Sequence, residues 1–209
     1  MKSNREYRNM DAINIVRGED AQTVTMTVEG YATVFDKRYT LYADDEIVLS
    51  EVIDPRAFES TDMSDVIMQY NHEGRVFARR KNGTLQVEPD PNGLHIQADL
   101  GGTELGRQLY EEIRGGYTDK MSFGFTVAED EWSRSVDDLG RDVHERRILS
   151  VGRLYDVSAV SVPANDATSI SVRSLSDGVI EQARAERLER ERTEMHRRKL
   201  LLIAKGGMK

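Results

Sequence analysis

Apolar and polar positions alternate with a period of two through much of the chain before residue 175, and that period predicts strands. Thr23-Val-Thr-Met-Thr-Val28 alternates in this way, and the pattern continues through Gly30-Tyr-Ala-Thr-Val-Phe35. Further strand-like runs are Glu46–Ser50, Val66–Tyr70, Gly83–Val87 and Leu94–Leu100. Between the last two lies Pro89-Asp-Pro-Asn-Gly93, whose residues favour a turn, so the pair reads as a hairpin. The period then changes to helical: Thr103 is an N-cap for a helix over Glu104–Arg114. Its inner face would be Leu105, Leu109, Tyr110 and Ile113, and Gly115-Gly116 would stop it. Strand character returns at Met121–Phe125 and again over Ile148–Val162, which Pro163 closes. Ser169-Ile-Ser-Val172 reads as a short last strand, and residues 1–20 as a polar, loose N-terminal arm.

Near Ser176 the composition shifts. Glu181–Lys199 carries Glu or Arg at most positions with no Gly or Pro, which suits a long exposed helix with i,i+3 and i,i+4 ion pairs. Leu200-Leu-Leu-Ile203 forms an apolar tip. From residue 175 onward nine basic residues face six acidic ones, a net of +3, which leaves −11 for the first 174 residues of a chain with net charge −8. The predicted division is therefore an arm (1–20), a folded domain (21–174) and a charged helical tail (175–209). The acidic body argues against nucleic acid as a main partner. No apolar stretch reaches membrane-spanning length, and the start has no apolar run of the kind a signal peptide needs. The 209 residues include no cysteine, which excludes a thiol nucleophile, a disulfide framework and thiolate metal sites.

Two motifs carry candidate chemistry. Met68-Gln-Tyr-Asn-His72-Glu-Gly74 and Asp119-Lys-Met-Ser122-Phe-Gly-Phe125 each set a reactive side chain in an apolar run that ends near glycine. Histidine serves as general base and serine as nucleophile, so two such groups on adjacent strands would make a hydrolase core. A third element is Leu154-Tyr-Asp156-Val-Ser158. Its carboxylate reads equally as the partner that fixes an imidazole tautomer or as a strand-end Asp bonding backbone amides. His95 alternates with Leu94 and Ile96 and so faces solvent, His144 sits in a charged stretch, and His196 lies in the tail. No histidine spacing supports a zinc site, and no phosphate-binding glycine loop is present. Glu111 and Glu112, or Asp44 and Asp45, are the carboxylates a different hydrolase would use, but acidic runs in so charged a chain are usually solvated faces.

Taken in order, Gly30–Phe35, Val52-Ile-Asp-Pro-Arg-Ala-Phe58, Tyr70-Asn-His72, Gly93-Leu94, Met121-Ser-Phe-Gly-Phe125 and Tyr155-Asp-Val-Ser158 through Pro163-Ala-Asn165 resemble the prohead maturation proteases of tailed phages, over roughly residues 22–174. That family is similar in fold to the herpesvirus assemblin proteases. The resemblance implies a mostly β (α+β) fold, a closed antiparallel β-barrel with a few helices, here followed by the charged C-terminal helix. It implies a serine endopeptidase with Ser122 as nucleophile and His72 as base. Asp156 falls where the herpesvirus enzymes place a second histidine, and Asn165 falls in the oxyanion region. Implied substrates are the scaffold and major capsid proteins, and the enzyme itself, cleaved in the host cytoplasm inside the assembling prohead. The resemblance implies no metal or organic cofactor, no nucleic acid and no membrane, and it leaves a homo-oligomer open. The rival reading is a non-catalytic capsid-assembly or scaffold protein that keeps the protease barrel.

Overall fold

The computed structural model describes residues 5–11, 13–16, 26–161 and 170–206. In chain order the elements are β1 (Glu6–Asp11), β2 (Ile13–Ile15), β3 (Thr27–Val34), β4 (Tyr39–Ala43), β5 (Ile47–Ile53), β6 (Ile67–Tyr70) and β7 (Glu73–Arg79). They continue with β8 (Leu85–Pro89), β9 (Gly93–Asp99), α1 (Glu104–Arg114), β10 (Lys120–Val136), β11 (Asp142–Val160) and α2 (Ile170–Gly206).

The strands form two sheets rather than the expected closed barrel. The larger runs β1-β10-β11-β5-β4, with β6 also on β11 and β7 on β6; the smaller runs β2-β3-β9-β8. Neither sheet closes on itself. Closure needs a ladder joining the two edges of one sheet, whereas the outer edge of β11 is shared between two partners. Its first part pairs in parallel with β5 from Asp142 to Ile148, and its last part in parallel with β6 from Asp156 to Ala159. The sheet is therefore mixed. Register shifts between Gly124 and Asp130 bend the long β10–β11 ribbon.

The main core lies between the sheets. Val28, Leu85 and Ile96 from one meet Met68, Phe123, Phe125 and Leu154 from the other, and Leu109, Tyr110 and Ile113 of α1 join them. The helix follows its sequence signals: Thr103 Oγ accepts from the Gly106 backbone N–H at 2.9 Å. Leu105, assigned to the inner face, is instead exposed. The β8–β9 hairpin is as expected, with the Asp90 carboxylate accepting from the Asn92 and Gly93 backbone N–H groups.

Two further expectations are corrected. Residues 170–172 are helical, not a strand, because they continue directly into the long tail helix. The segment read as a loose arm supplies β1, which pairs antiparallel with β10 along its whole length. It does so despite its charge because Glu6 and Arg8 are buried against counter-ions. The Arg8 guanidinium donates to both Glu51 carboxylate oxygens at 2.5 and 2.6 Å and to Glu6 at 2.7 Å. Arg146 donates to Glu6 at 2.8 Å. Burial alone would raise the Glu6 carboxyl, but Arg8 and Arg146 hold it below the ordinary carboxylate value.

Candidate functional site

His72 is aimed by a hairpin turn. Tyr70 pairs with Glu73, so Asn71 and His72 are the two central residues, and both have positive φ, 50° and 60°. That is the backbone of a tight two-residue hairpin, which Asn adopts readily and His less so. The turn is pinned to β11: the Asn71 N–H donates to the Ala159 carbonyl at 3.0 Å, and the His72 N–H to Ser158 Oγ at 3.2 Å. His72 thus sits in a turn beyond β6, and β11 separates β6 from β10. The expectation that His72 and Ser122 occupy adjacent strands is not met.

The side chains nonetheless converge. Alternation along β10 sends Met121, Phe123 and Phe125 into the core and leaves Ser122 and Gly124 on the opposite face. Ser122 stands across from Ser158, and Gly124 across from Asp156. The imidazole bridges the set: Nε2 lies 2.6 Å from Ser122 Oγ, and Nδ1 lies 2.5 Å from Asp156 Oδ1. Ser158 Oγ donates to the same Asp156 oxygen at 3.1 Å. Ser122 and Asp156 have no exposed surface, while the His72 side chain is 17% exposed.

Gly124 makes room for this arrangement. A Cβ there would sit 2.5 Å from Asp156 Oδ2 and 2.8 Å from the Tyr7 ring. Both are closer than a Cβ approaches any non-bonded heavy atom, so the glycine of the Ser-Phe-Gly-Phe motif has a steric reason.

A family model described as caudovirus prohead serine protease matches residues 13–181. The chain belongs to that family. No curated protein matches the sequence. Among solved structures, the chain is similar to the capsid assembly protease gp21 of bacteriophage T4. The identity is 13%, over 76% of this chain and 99% of that one, with a TM-score of 0.38. As a prohead protease family member the chain falls among serine proteases of phage capsid maturation.

Of the residues singled out in the sequence, Ser122, His72 and Asp156 are together, and Asn165 lies outside the described residues. The other nominated carboxylates are elsewhere. Glu111 and Glu112 are exposed on α1, and Asp44 closes the β4–β5 turn through the Glu46 and Ile47 N–H groups. Among the described residues, no group of three or more His, Asp or Glu side chains is placed to hold a metal ion, and no helix is long and apolar enough to cross a membrane.

Sequence reasoning missed Arg5, Tyr7 and Ser158. The Tyr7 ring packs on His72 with centroids 4.3 Å apart, and Arg5 lies 3.1 Å from Asp156 Oδ2. Ser158 was legible in principle, since it follows Asp156 by two positions and so shares its face. Arg5 and Tyr7 had no local signal, because their segment reads as polar chain.

Proposed function

We propose that this prohead protease family member is a serine endopeptidase using Ser122, His72 and Asp156. The observation that carries the reading is one imidazole holding Ser122 Oγ on one nitrogen and a buried carboxylate on the other. Ser122 Oγ attacks the scissile carbonyl carbon while His72 Nε2 takes its proton. As the C–N bond breaks, His72 returns that proton to the leaving amine. Water then enters by the same base and releases the acyl group. Asp156 keeps Nδ1 protonated and Nε2 free to accept, and it stabilises the imidazolium that forms. Ser158 Oγ, bonded to Asp156 and to the His72 backbone, fixes the carboxylate relative to the turn. Asn165 is assigned to the oxyanion region by family position.

By the same reading the substrates are the scaffold and major capsid proteins and the chain itself, cut inside the assembling prohead. The catalytic domain takes in β1 through β11, so it begins ahead of the 21–174 expected from sequence, and α2 docks on it through Ile180 and Ala183. Coexpression with the cognate capsid protein tests this. The wild-type chain yields defined capsid fragments and takes up a fluorophosphonate at Ser122, and Ser122→Ala does neither. Identical fragments from both chains would overturn the assignment in favour of a non-catalytic assembly protein.

A further inference from the structure

We propose that the N-terminal segment formed by Arg5 and strand β1 completes the reaction centre, with Arg5 as the counter-ion of Asp156 and Tyr7 as the platform for the His72 ring. The inference rests on the protease reading above.

Tyr7 pairs with Gly124 across the β1–β10 ladder, so it lies on the face that carries Ser122. Its ring covers His72 at 4.3 Å, tilted by 59°. That contact limits the imidazole to rotations that keep both of its polar partners. Asp156 is fully buried, and its Oδ1 is taken by His72 and Ser158. Its Oδ2 meets the Arg5 guanidinium at 3.1 Å, an ion pair by distance without the alignment of a hydrogen bond. A buried carboxylate left without a counter-charge is costly, and Arg5 supplies one. Arg5 is in turn held over the Tyr155 ring, 4.1 Å from its centroid, and donates to Tyr7 Oη at 3.4 Å. The absence of a side chain at Gly124 leaves room for both the Asp156 carboxylate and the Tyr7 ring.

Ser122 is fully covered, so a peptide bond reaches Oγ only after covering groups shift. A strand serving as a removable lid would also cover the serine. The other face of β1 speaks against that, because Glu6 and Arg8 are clamped to Glu51 and Arg146 in the interior. Displacing β1 would open that buried ion cluster, so β1 is a resident of the site.

The charge of Arg5 has a kinetic consequence with a definite sign. Near Asp156 it offsets part of the negative charge that favours the imidazolium. Removing it makes the base easier to protonate, so the base is lost at higher pH. The charged and titratable groups facing this point are Asp156 and Tyr155 of β11, His72 of the turn and Tyr7 of β1. Exposed Glu73 lies beside His72, and Arg153 lies on the Tyr155 ring, 5.1 Å from its centroid.

The test is the pH dependence of fluorophosphonate labelling at Ser122 in the full chain. Arg5→Gln is expected to move the acid limb upward, and Arg5→Lys to restore it. Arg153→Gln, which removes a charge that does not touch Asp156, is expected to move it less. Tyr7→Ala is expected to slow labelling by about 10- to 100-fold across the whole range, with Tyr7→Phe close to wild type because the ring remains. An unmoved limb in Arg5→Gln, with normal wild-type labelling, would overturn the role of Arg5. Faster labelling in Arg5→Gln or Tyr7→Ala would show that β1 is a lid. A wild-type chain that does not label at Ser122 would remove the protease reading and this inference together, which separates the two failures.

Discussion

The two faces of β1 each carry a buried ionic cluster, and the clusters are built differently. On the inner face Arg8 meets the Glu51 carboxylate through two nitrogens, and Glu6 is shared between Arg8 and Arg146. Every carboxylate there has aligned donors. On the outer face Asp156 has one oxygen fully engaged and the other facing Arg5 by distance alone. The inner cluster is saturated and lies in the interior. The outer one keeps a hydrogen-bonded imidazole at the surface, joined to a hydroxyl that gives up its proton in the proposed reaction. Saturation suits a structural lock, and a carboxylate with one oxygen left unsaturated suits the neighbour of an imidazole whose charge changes during turnover.

That contrast breaks most visibly at the nucleophile. Ser122→Ala and His72→Ala are each expected to lower capsid-protein turnover by about 10⁴-fold or more. Asp156→Asn should leave detectable activity, about 10²- to 10⁴-fold below wild type. Full activity in Asp156→Ala would reduce the set to a dyad. The inner cluster should answer in stability instead. Arg8→Met leaves Glu51 and Glu6 short of a counter-ion and is expected to destabilise the fold by about 3–5 kcal/mol in urea unfolding. Arg8→Met combined with Glu51→Leu should recover much of that loss. A wild-type unfolding midpoint for Arg8→Met alone would remove the distinction between the faces.

A smaller change at the meeting point of the two clusters' strands should affect both readouts. Gly124→Ala forces a methyl group against Asp156 and Tyr7, and about 1–3 kcal/mol of stability should be lost along with activity. Unchanged activity would mean that the crowded side chains can move aside without disturbing the site.

The smallest effect concerns α2. Ile180 and Ala183 pack on Ile47 and Tyr42, while Arg190 meets Asp142 at 2.5 Å and Arg184 meets Asp44 at 2.9 Å. Burial would raise the Asp142 carboxyl, but Arg190 and Arg134 hold it below its ordinary value of 3.8. Asp44 is lowered as well, mainly by the hydrogen bond from Tyr42. Carboxyls with depressed folded values add stability that is present above the ordinary value and is lost as the pH falls through the folded one. Docking of α2, followed by amide exchange of residues 179–187, should hold from neutral pH to about 4 and weaken below that. Docking that is indifferent to acid would assign it to the Ile180 contact alone.

Much of this molecule could be read before its structure. Period-two runs located the β8–β9 hairpin and the Ser122 strand, and Thr103 and Gly115 bracketed α1. The charged tail announced its helix. His72, Ser122 and Asp156 were named from motif and family order, but their contacts span 50 and 84 positions, which no local pattern encodes. The barrel expectation failed because alternation says which residues turn inward and is silent on which edges pair. The helix reached back to residue 170 because one more turn on an existing helix costs less than starting a separate strand.

The sequence by itself determined many of the local choices: where β3, β8, β9, the Ser122 strand and α1 run, which positions of β10 turn inward, and that the tail is a charged helix. Those follow from side-chain period, capping and turn chemistry, which act over a few residues. The tertiary structure decided which charges are interior. Glu6 and Arg8 read as solvated arm because their partners Glu51 and Arg146 lie 43 to 140 positions away. A charge enters a protein interior only where a counter-charge is already waiting, and that condition exists only once the strands have been brought together. The same assembly set Arg5 and Tyr7 on the back of the His72–Asp156 pair.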